Sequence, residues 1–140
     1  MPLSEQHIQL IKKSWLHFNK IKPTVTADLF YTKLIIDKPS LKKTFDYPLE
    51  QNATMLFNFL DEIIDYINHL ENHEGNIHKL AVNYQQYGIS PKHYASVIQS
   101  LLFTLRHALQ NEWDENTEEA WKIAAEQVSA IMKRGLLNKN

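Results

Sequence analysis

The sequence predicts an all-α protein in which about seven to eight helices form one domain over residues 1–140. Apolar residues recur every three or four positions along nearly the whole chain, which places them on one face of a helix. No segment alternates strictly between apolar and polar residues, as a half-buried strand would. A chain of 140 residues with 44% apolar residues is long enough to bury its own core.

Proline residues mark several helix starts in the first half of the chain, because their fixed backbone angle suits a first helical turn. Ser4 is a favourable N-cap for the first helix. The predicted segments are a first helix after Ser4, a second from Pro23 to about Asp37, a short piece from Pro39 to Phe45, and a long amphipathic helix from about Asn52 to Asn68.

The second half is divided by glycine and proline. Gly75 interrupts a polar stretch, and Gly88 is a typical C-terminal helix stop. The predicted segments are a short helix from about Ile77 to Tyr87, a helix beginning at Pro91 with apolar residues up to Leu109, and a last helix from about Thr117 to Leu136.

Charge and composition exclude several classes of protein. The net charge of −1 gives no general attraction to nucleic acid or to an anionic membrane, so we expect neither as a partner. The absence of cysteine excludes disulfides, thiolate metal sites and cysteine nucleophiles, and is compatible with a cytoplasmic location. No apolar run approaches the roughly 20 residues of a membrane span, and the N-terminus does not read as a secretory signal.

Two polar segments contain residue types that bind cations. The stretch HLENHEGNIH carries His69, His73 and His78 with two glutamates, a set that could bind zinc or copper if a helix held its spacing. Gly75 favours a solvated connection instead. The acidic stretch NEWDENTEE is best interpreted as a loop and a helix N-terminus, where carboxylates complement the helix dipole. No hydrolytic triad and no glycine-rich phosphate loop is recognisable.

Five segments, in order along the chain, together resemble one family. They are LSEQHIQLIKKSW, LFYTKLIIDKPSLKKTF, NATMLFNFL, KLAVNYQQYGISPKHYASVIQSLLFTLRHAL and EEAWKIAAEQVSAIM. Their order and spacing resemble a globin, specifically a bacterial single-domain globin similar to the haem domain of flavohaemoglobins. The resemblance implies a globin fold, haem as cofactor, a cytoplasmic location and the binding of oxygen or another small diatomic or anionic ligand.

The resemblance also implies roles for individual residues. Tyr31 would be the distal tyrosine that donates a hydrogen bond to an iron-bound ligand, and Phe45 would wedge the haem ring. Asn52 would be the distal polar residue, with Leu56 as its apolar neighbour one turn further on. The proximal wall would be formed by Tyr87, Ile89, Tyr94 and Val97.

Tyr84 departs from the family pattern. It stands four residues before Gly88, where globins carry the histidine that binds iron. His78 lies six residues earlier, about 9 Å along an ideal helix, and His93 lies beyond the turn. Either histidine could replace Tyr84 only if the proximal helix shifted. The resemblance also implies a glutamate partner for Tyr94 in the last helix, but the segment IMKRGLL contains none.

Two interpretations of Tyr84 follow. Tyrosinate can bind haem iron, and as a hard anionic ligand it favours ferric iron, so one expectation is a ferric haem protein that carries haem, senses a ligand, or acts on peroxide or nitrogen oxides. No reductase domain is read in the chain, so electrons would come from a separate partner. The alternative is a haem-free regulatory module that senses a small apolar ligand such as a fatty acid, in which Tyr84 is an aromatic core residue.

Overall fold

The computed structural model describes residues 3–137, and within that range it contains six α-helices and no β-strand. The helices are α1 (Glu5–Phe18), α2 (Pro23–Asp37), α3 (Leu49–Tyr66), α4 (Glu74–Tyr87), α5 (Tyr94–Leu109) and α6 (Glu115–Leu137). Single 3₁₀ turns lie at Pro39–Lys42, Leu70–His73, Pro91–His93 and Gln110–Glu112. The all-α prediction is confirmed. There are slightly fewer α-helices than the seven to eight expected, because the predicted piece from Pro39 to Phe45 contains only a 3₁₀ turn.

Local sequence signals explain where several helices begin and end. The Ser4 hydroxyl accepts the His7 N–H at 3.0 Å, while the Ser4 N–H donates to the His7 ring, which forms a capping box at the start of α1. Gly88 ends α4 with φ = 104°, a left-handed conformation in which a side chain would be strained. Pro23 stands at the first position of α2, as predicted.

Three helices begin earlier in the chain than the sequence predicted. α3 begins at Leu49 rather than near Asn52, and α6 begins at Glu115 rather than near Thr117. Thr117 is already the third residue of α6, and its N–H donates to the Asp114 carboxylate at 2.8 Å. α4 begins at Glu74, so the predicted loop HLENHEGN is instead a 3₁₀ turn followed by helix. Gly75 is tolerated there because it lies in the first turn, where Glu74 complements the helix dipole.

The packing of the helices leaves α3 and α4 without close contact with each other. α6 packs against α1, α4 and α5, and α2 packs against α3 and α5. Among the helices of residues 3–137, α3 and α4 are not a closely packed pair. Trp15, Phe18, Phe57 and Trp121 fill the core beside α1 and α6, with Trp15 and Phe18 ring centres 5.7 Å apart. No helix in the described range is long and apolar enough to cross a membrane.

Candidate functional site

An apolar cavity of about 130 Å³ lies between α3 and α4. α2 and α5 form its sides, and its inner end reaches residues of α1 and α6. The residues singled out from the sequence that line this cavity are Tyr31, Phe45, Leu56, Tyr84, Ile89, Tyr94 and Val97. Asn52 and Tyr87 are not in its wall, because Asn52 faces the segment before α3 and Tyr87 is 54% exposed.

The distal wall is fixed by a hydrogen-bonded pair on α2 and α3. The Tyr31 hydroxyl is buried and donates to the backbone carbonyl of Asn52 at 3.0 Å. The Asn52 side-chain amide donates to the Phe45 carbonyl at 2.9 Å, so its nitrogen is directed away from the cavity. The rings of Tyr31 and Phe45 are also in contact, with centres 4.7 Å apart and planes tilted by 50°. Tyr31 therefore supplies the polar hydrogen on this wall.

Tyr84 reaches across the cavity from α4 to α3. Its hydroxyl lies 3.5 Å from the backbone carbonyl of Met55, a long hydrogen bond. Its ring meets the ring of Phe59 edge to face, with centres 5.2 Å apart and planes at 89°. This geometry is the favourable arrangement for two aromatic rings. The Tyr84 side chain thus joins two helices that otherwise stay apart.

Tyr94, at the start of α5, places a hydroxyl group without a partner at the cavity wall. The side chain is only 5% exposed, and its oxygen has no hydrogen-bond partner among the described residues. A buried hydroxyl without a partner loses its hydration and gains nothing in return. Tyr94, a residue of the cavity wall, therefore carries a buried donor that the described residues leave unpaired.

The cavity hydroxyls are neutral at physiological pH. Burial raises the pKa of Tyr31 above its usual value, and the neighbouring Tyr84 raises it further. Burial likewise raises the pKa of Tyr84, with smaller contributions from Tyr87 and Glu62. Burial also raises the pKa of Tyr94. Because these values rise from about 10, each group is a proton donor, and a phenolate would form only where a bound cation displaced the proton.

Neither histidine considered as a substitute ligand lines the cavity. His93 is buried in the turn before α5, where its Nδ1 accepts the Ser90 N–H at 3.0 Å. His78 lies on α4 against Gly135 of α6. Among residues 3–137, no three His, Asp or Glu side chains are grouped so that they could hold a metal ion. The oxygen of Tyr84 is therefore the group on α4 placed to meet a cavity ligand.

The sequence did not single out Phe59 or the residues at the inner end of the cavity. Phe59 lies on the same face of α3 as Leu56, three positions further on, so its spacing was a usable signal. Residues of the first and last helices reach the cavity through the packing of separate helices, which spacing within one helix does not indicate. The inner wall contains Ile11, Trp121, Ala124 and Val128.

The comparison with protein families gives one match, to the family described as Globin, over residues 28–132. That range is about three quarters of the chain and runs from α2 into α6. It includes every cavity residue that the sequence singled out.

Curated relatives share about a quarter of their residues with this chain. A flavohemoprotein of Vibrio cholerae is 26% identical over 125 residues, and the match covers 87% of this chain but 32% of the relative. The chain therefore spans about a third of that protein. A leghemoglobin of Canavalia lineata is 26% identical, with 95% of each chain covered. An anaerobic nitrite reductase of Gossypium hirsutum is 26% identical, with 93% of this chain and 88% of the relative covered.

The fold also matches a solved structure closely. A hexacoordinated heme protein from an anhydrobiotic tardigrade superposes with a TM-score of 0.85. The superposition covers 98% of this chain and 97% of that one, at 18% sequence identity. At that identity the likeness establishes the arrangement of the helices and nothing about ligands.

Proposed function

The chain belongs to the globin family, and from that premise we propose that it binds haem in the cavity between α3 and α4, with the oxygen of Tyr84 as the iron ligand. The observation that carries the proposal is the place of Tyr84. Its hydroxyl enters an apolar cavity from α4, while Tyr31 and Phe45 line the same cavity from the direction of α2. A flat ring such as haem would lie between Tyr84 on one side and the pair Tyr31 and Phe45 on the other.

The residue types around the cavity fit such a group. Its wall is almost wholly apolar, and its polar atoms include the hydroxyls of Tyr31, Tyr84 and Tyr94. A phenolate is an accepted haem ligand in proteins. The cavity volume of about 130 Å³ is close to that of an engineered protein cavity that holds benzene. A porphyrin would therefore require α3 and α4 to separate at Tyr84.

When bound, haem would supply a ferric iron that binds small anionic or diatomic ligands. Tyr84 would favour the ferric state, because a phenolate is a hard, anionic donor. Tyr31 would turn from the Asn52 carbonyl and donate its hydrogen to the iron's ligand, and the apolar wall would exclude water from it. This arrangement suits the binding or sensing of nitrogen oxides or peroxide better than oxygen storage, which depends on ferrous iron.

The names of two relatives support haem as the cofactor and a nitrogen oxide as its ligand. One bears the name anaerobic nitrite reductase and another the name flavohemoprotein. Any reduction by this globin domain would need a reductase to supply the electrons. The cytoplasmic location stays a prediction from composition, and cell fractionation would test it.

Titration with hemin tests the proposal. We expect a Soret band typical of ferric high-spin haem at one equivalent, and a different band or weaker binding in Tyr84→Phe. Tyr87→Phe is the matched control, because Tyr87 lies on the same helix and is exposed. A titration without any Soret shift, or one unchanged by Tyr84→Phe, contradicts the proposal. Loss of binding in His78→Ala or His93→Ala alone would assign the ligand to a histidine.

A second function is favoured by Tyr94. The cavity holds a buried hydroxyl without a partner and has a volume suited to a small apolar molecule. We therefore propose, as the alternative, a haem-free module that senses an apolar ligand carrying one hydrogen-bond acceptor, such as a fatty acid. Mass spectrometry of protein purified from cells under native conditions separates the two functions. Stoichiometric iron porphyrin in that protein would rule out the alternative.

A further inference from the structure

The contact between Tyr84 and α3 bridges two helices at the wall of the cavity. Tyr84, Met55 and Phe59 are all partly buried side chains packed against the core. Both rings belong to the cavity wall. Together the Tyr84–Phe59 ring pair and the hydroxyl contact with the Met55 carbonyl bridge α3 and α4, which have few backbone contacts of their own.

In the position described, Tyr84 makes contacts that it would have to give up before its oxygen could bind iron. A hydroxyl that donates to the Met55 carbonyl keeps its proton, whereas an iron ligand must lose it. The ring also stands against Phe59, inside the space that a larger ligand would occupy. Tyr84 would therefore have to leave this position before it could bind iron.

We propose that Tyr84 is a gating residue: its contacts with Phe59 and the Met55 carbonyl hold α3 and α4 together across the cavity, and their release widens the cavity to admit the ligand. The proposal rests on the proposed function only for the second position of Tyr84, in which its oxygen binds iron. The gate itself acts on any apolar molecule that enters between α3 and α4. Opening requires a rotation of the Tyr84 side chain and the separation of α3 from α4, which are loosely packed against each other.

The packing of α3 and α4 against other helices supports a gate at Tyr84. α4 packs along α6 and α3 packs along α2, so either helix can keep its main contact while the gap between them widens. The contacts that must break are one edge-to-face ring pair and one long hydrogen bond. Both are individually weak, so opening requires no loss of the core.

The test measures entry into the cavity by stopped-flow fluorescence with anilinonaphthalene sulfonate, a dye that needs no iron ligand. Hemin uptake is followed in parallel. The variants are Tyr84→Ala, which removes ring and hydroxyl, and Tyr84→Phe, which removes the hydroxyl alone. Tyr87→Ala is the control on the same helix. We expect dye entry to be about tenfold faster in Tyr84→Ala and a few-fold faster in Tyr84→Phe.

Equal entry rates in wild type and Tyr84→Ala, or no entry into either, overturn the gate. If Tyr84→Ala does not fold, Phe59→Leu removes the partner ring instead. Its dye-entry rate is then compared with that of the wild type. If dye entry accelerates but hemin never binds the wild type, the gate stands and the haem proposal fails. If hemin binds through Tyr84 but dye entry is unchanged, the haem proposal stands and the gate fails.

Discussion

The hydroxyl of Tyr31 on α2 donates a 3.0 Å hydrogen bond to the backbone carbonyl of Asn52 on α3. The Asn52 side chain then donates to the Phe45 carbonyl at 2.9 Å. One residue thus connects α2, α3 and the segment between them through its backbone and its side chain. The arrangement sets the distal wall of the cavity before any ligand enters.

Tyr31→Phe tests this connection. The substitution keeps the ring beside Phe45 and removes one buried hydrogen bond, so we expect the free energy of unfolding to fall by about 0.5–1.5 kcal/mol. Urea denaturation measures the change. Tyr47→Phe is the control, because Tyr47 is 46% exposed and its loss should be close to neutral. Equal unfolding midpoints for Tyr31→Phe and wild type would mean that the bond contributes nothing.

Gly135→Ala tests the contact between α6 and α4. An added Cβ would lie 2.6 Å from Cγ and 2.8 Å from Cβ of His78. Because these atoms are at the base of the side chain, the ring cannot simply turn away. We expect a loss of about 1–3 kcal/mol from overpacking, measured by thermal denaturation.

The same substitution should cost less in a His78→Ala background. That background removes the ring contact at 2.6 Å but keeps the Cβ at 2.8 Å, so Gly135→Ala should still destabilise the protein there, by less than in the wild type. A double-mutant cycle isolates the contact. If Gly135→Ala destabilises both backgrounds equally, the close approach to the His78 ring is not the cause.

Ser14→Ala tests a polar contact inside the aromatic core. The Trp121 indole N–H donates to the Ser14 hydroxyl at 2.7 Å, and that hydroxyl donates to the Leu10 carbonyl at 2.8 Å. Alanine would leave the buried N–H without an acceptor, at a cost of about 1–3 kcal/mol in urea denaturation. The control is Ser100→Ala, because the Ser100 hydroxyl is buried without a partner in the described structure. Similar losses in the two variants would show that burial, and not the Trp121 bond, determines the cost.

Much of the fold could be predicted because its signals are local. Ser4, Pro23 and Gly88 each satisfy a backbone requirement at the position they occupy, and each marks a helix end in the structure. The start of α4 could not be predicted, because Gly75 breaks a helix only in its interior. At the first turn, burial of Ile77 on the new helix outweighs the cost of a glycine.

Most of the residues singled out from the sequence line one cavity, although Asn52 and Tyr87 do not, and the contacts among them could not be predicted. The spacing of Tyr31, Phe45 and Tyr84 in a globin-like sequence placed them near one cavity, where they lie. The direction of the Asn52 amide depends on a carbonyl seven residues earlier, and no periodicity encodes it. The contact of Tyr84 with Met55 depends on the distance between two helices. Sequence spacing within one helix does not determine that distance.

His93 gives the protein a predicted loss of stability in acid. Burial lowers the pKa of His93, and the neighbouring Lys92 and Lys38 lower it further. Its Nδ1 accepts the Ser90 N–H at 3.0 Å, so the neutral ring is the form that the turn before α5 requires. In the unfolded chain the ring takes up its proton near pH 6.5. The stabilising contribution is therefore complete above about pH 6.5, and it is lost as the pH falls from there through the lowered pKa of the folded state.

His93→Gln is the variant that isolates this effect. Glutamine at this position of a capping box can accept the same backbone N–H but does not titrate. Between pH 7 and pH 5 we expect the wild type to lose more free energy of unfolding than His93→Gln, measured by urea denaturation at each pH. The remaining histidines are common to both proteins, so their contributions cancel in the difference. Parallel stability curves for the two proteins across this interval would show that protonation of His93 does not destabilise the fold.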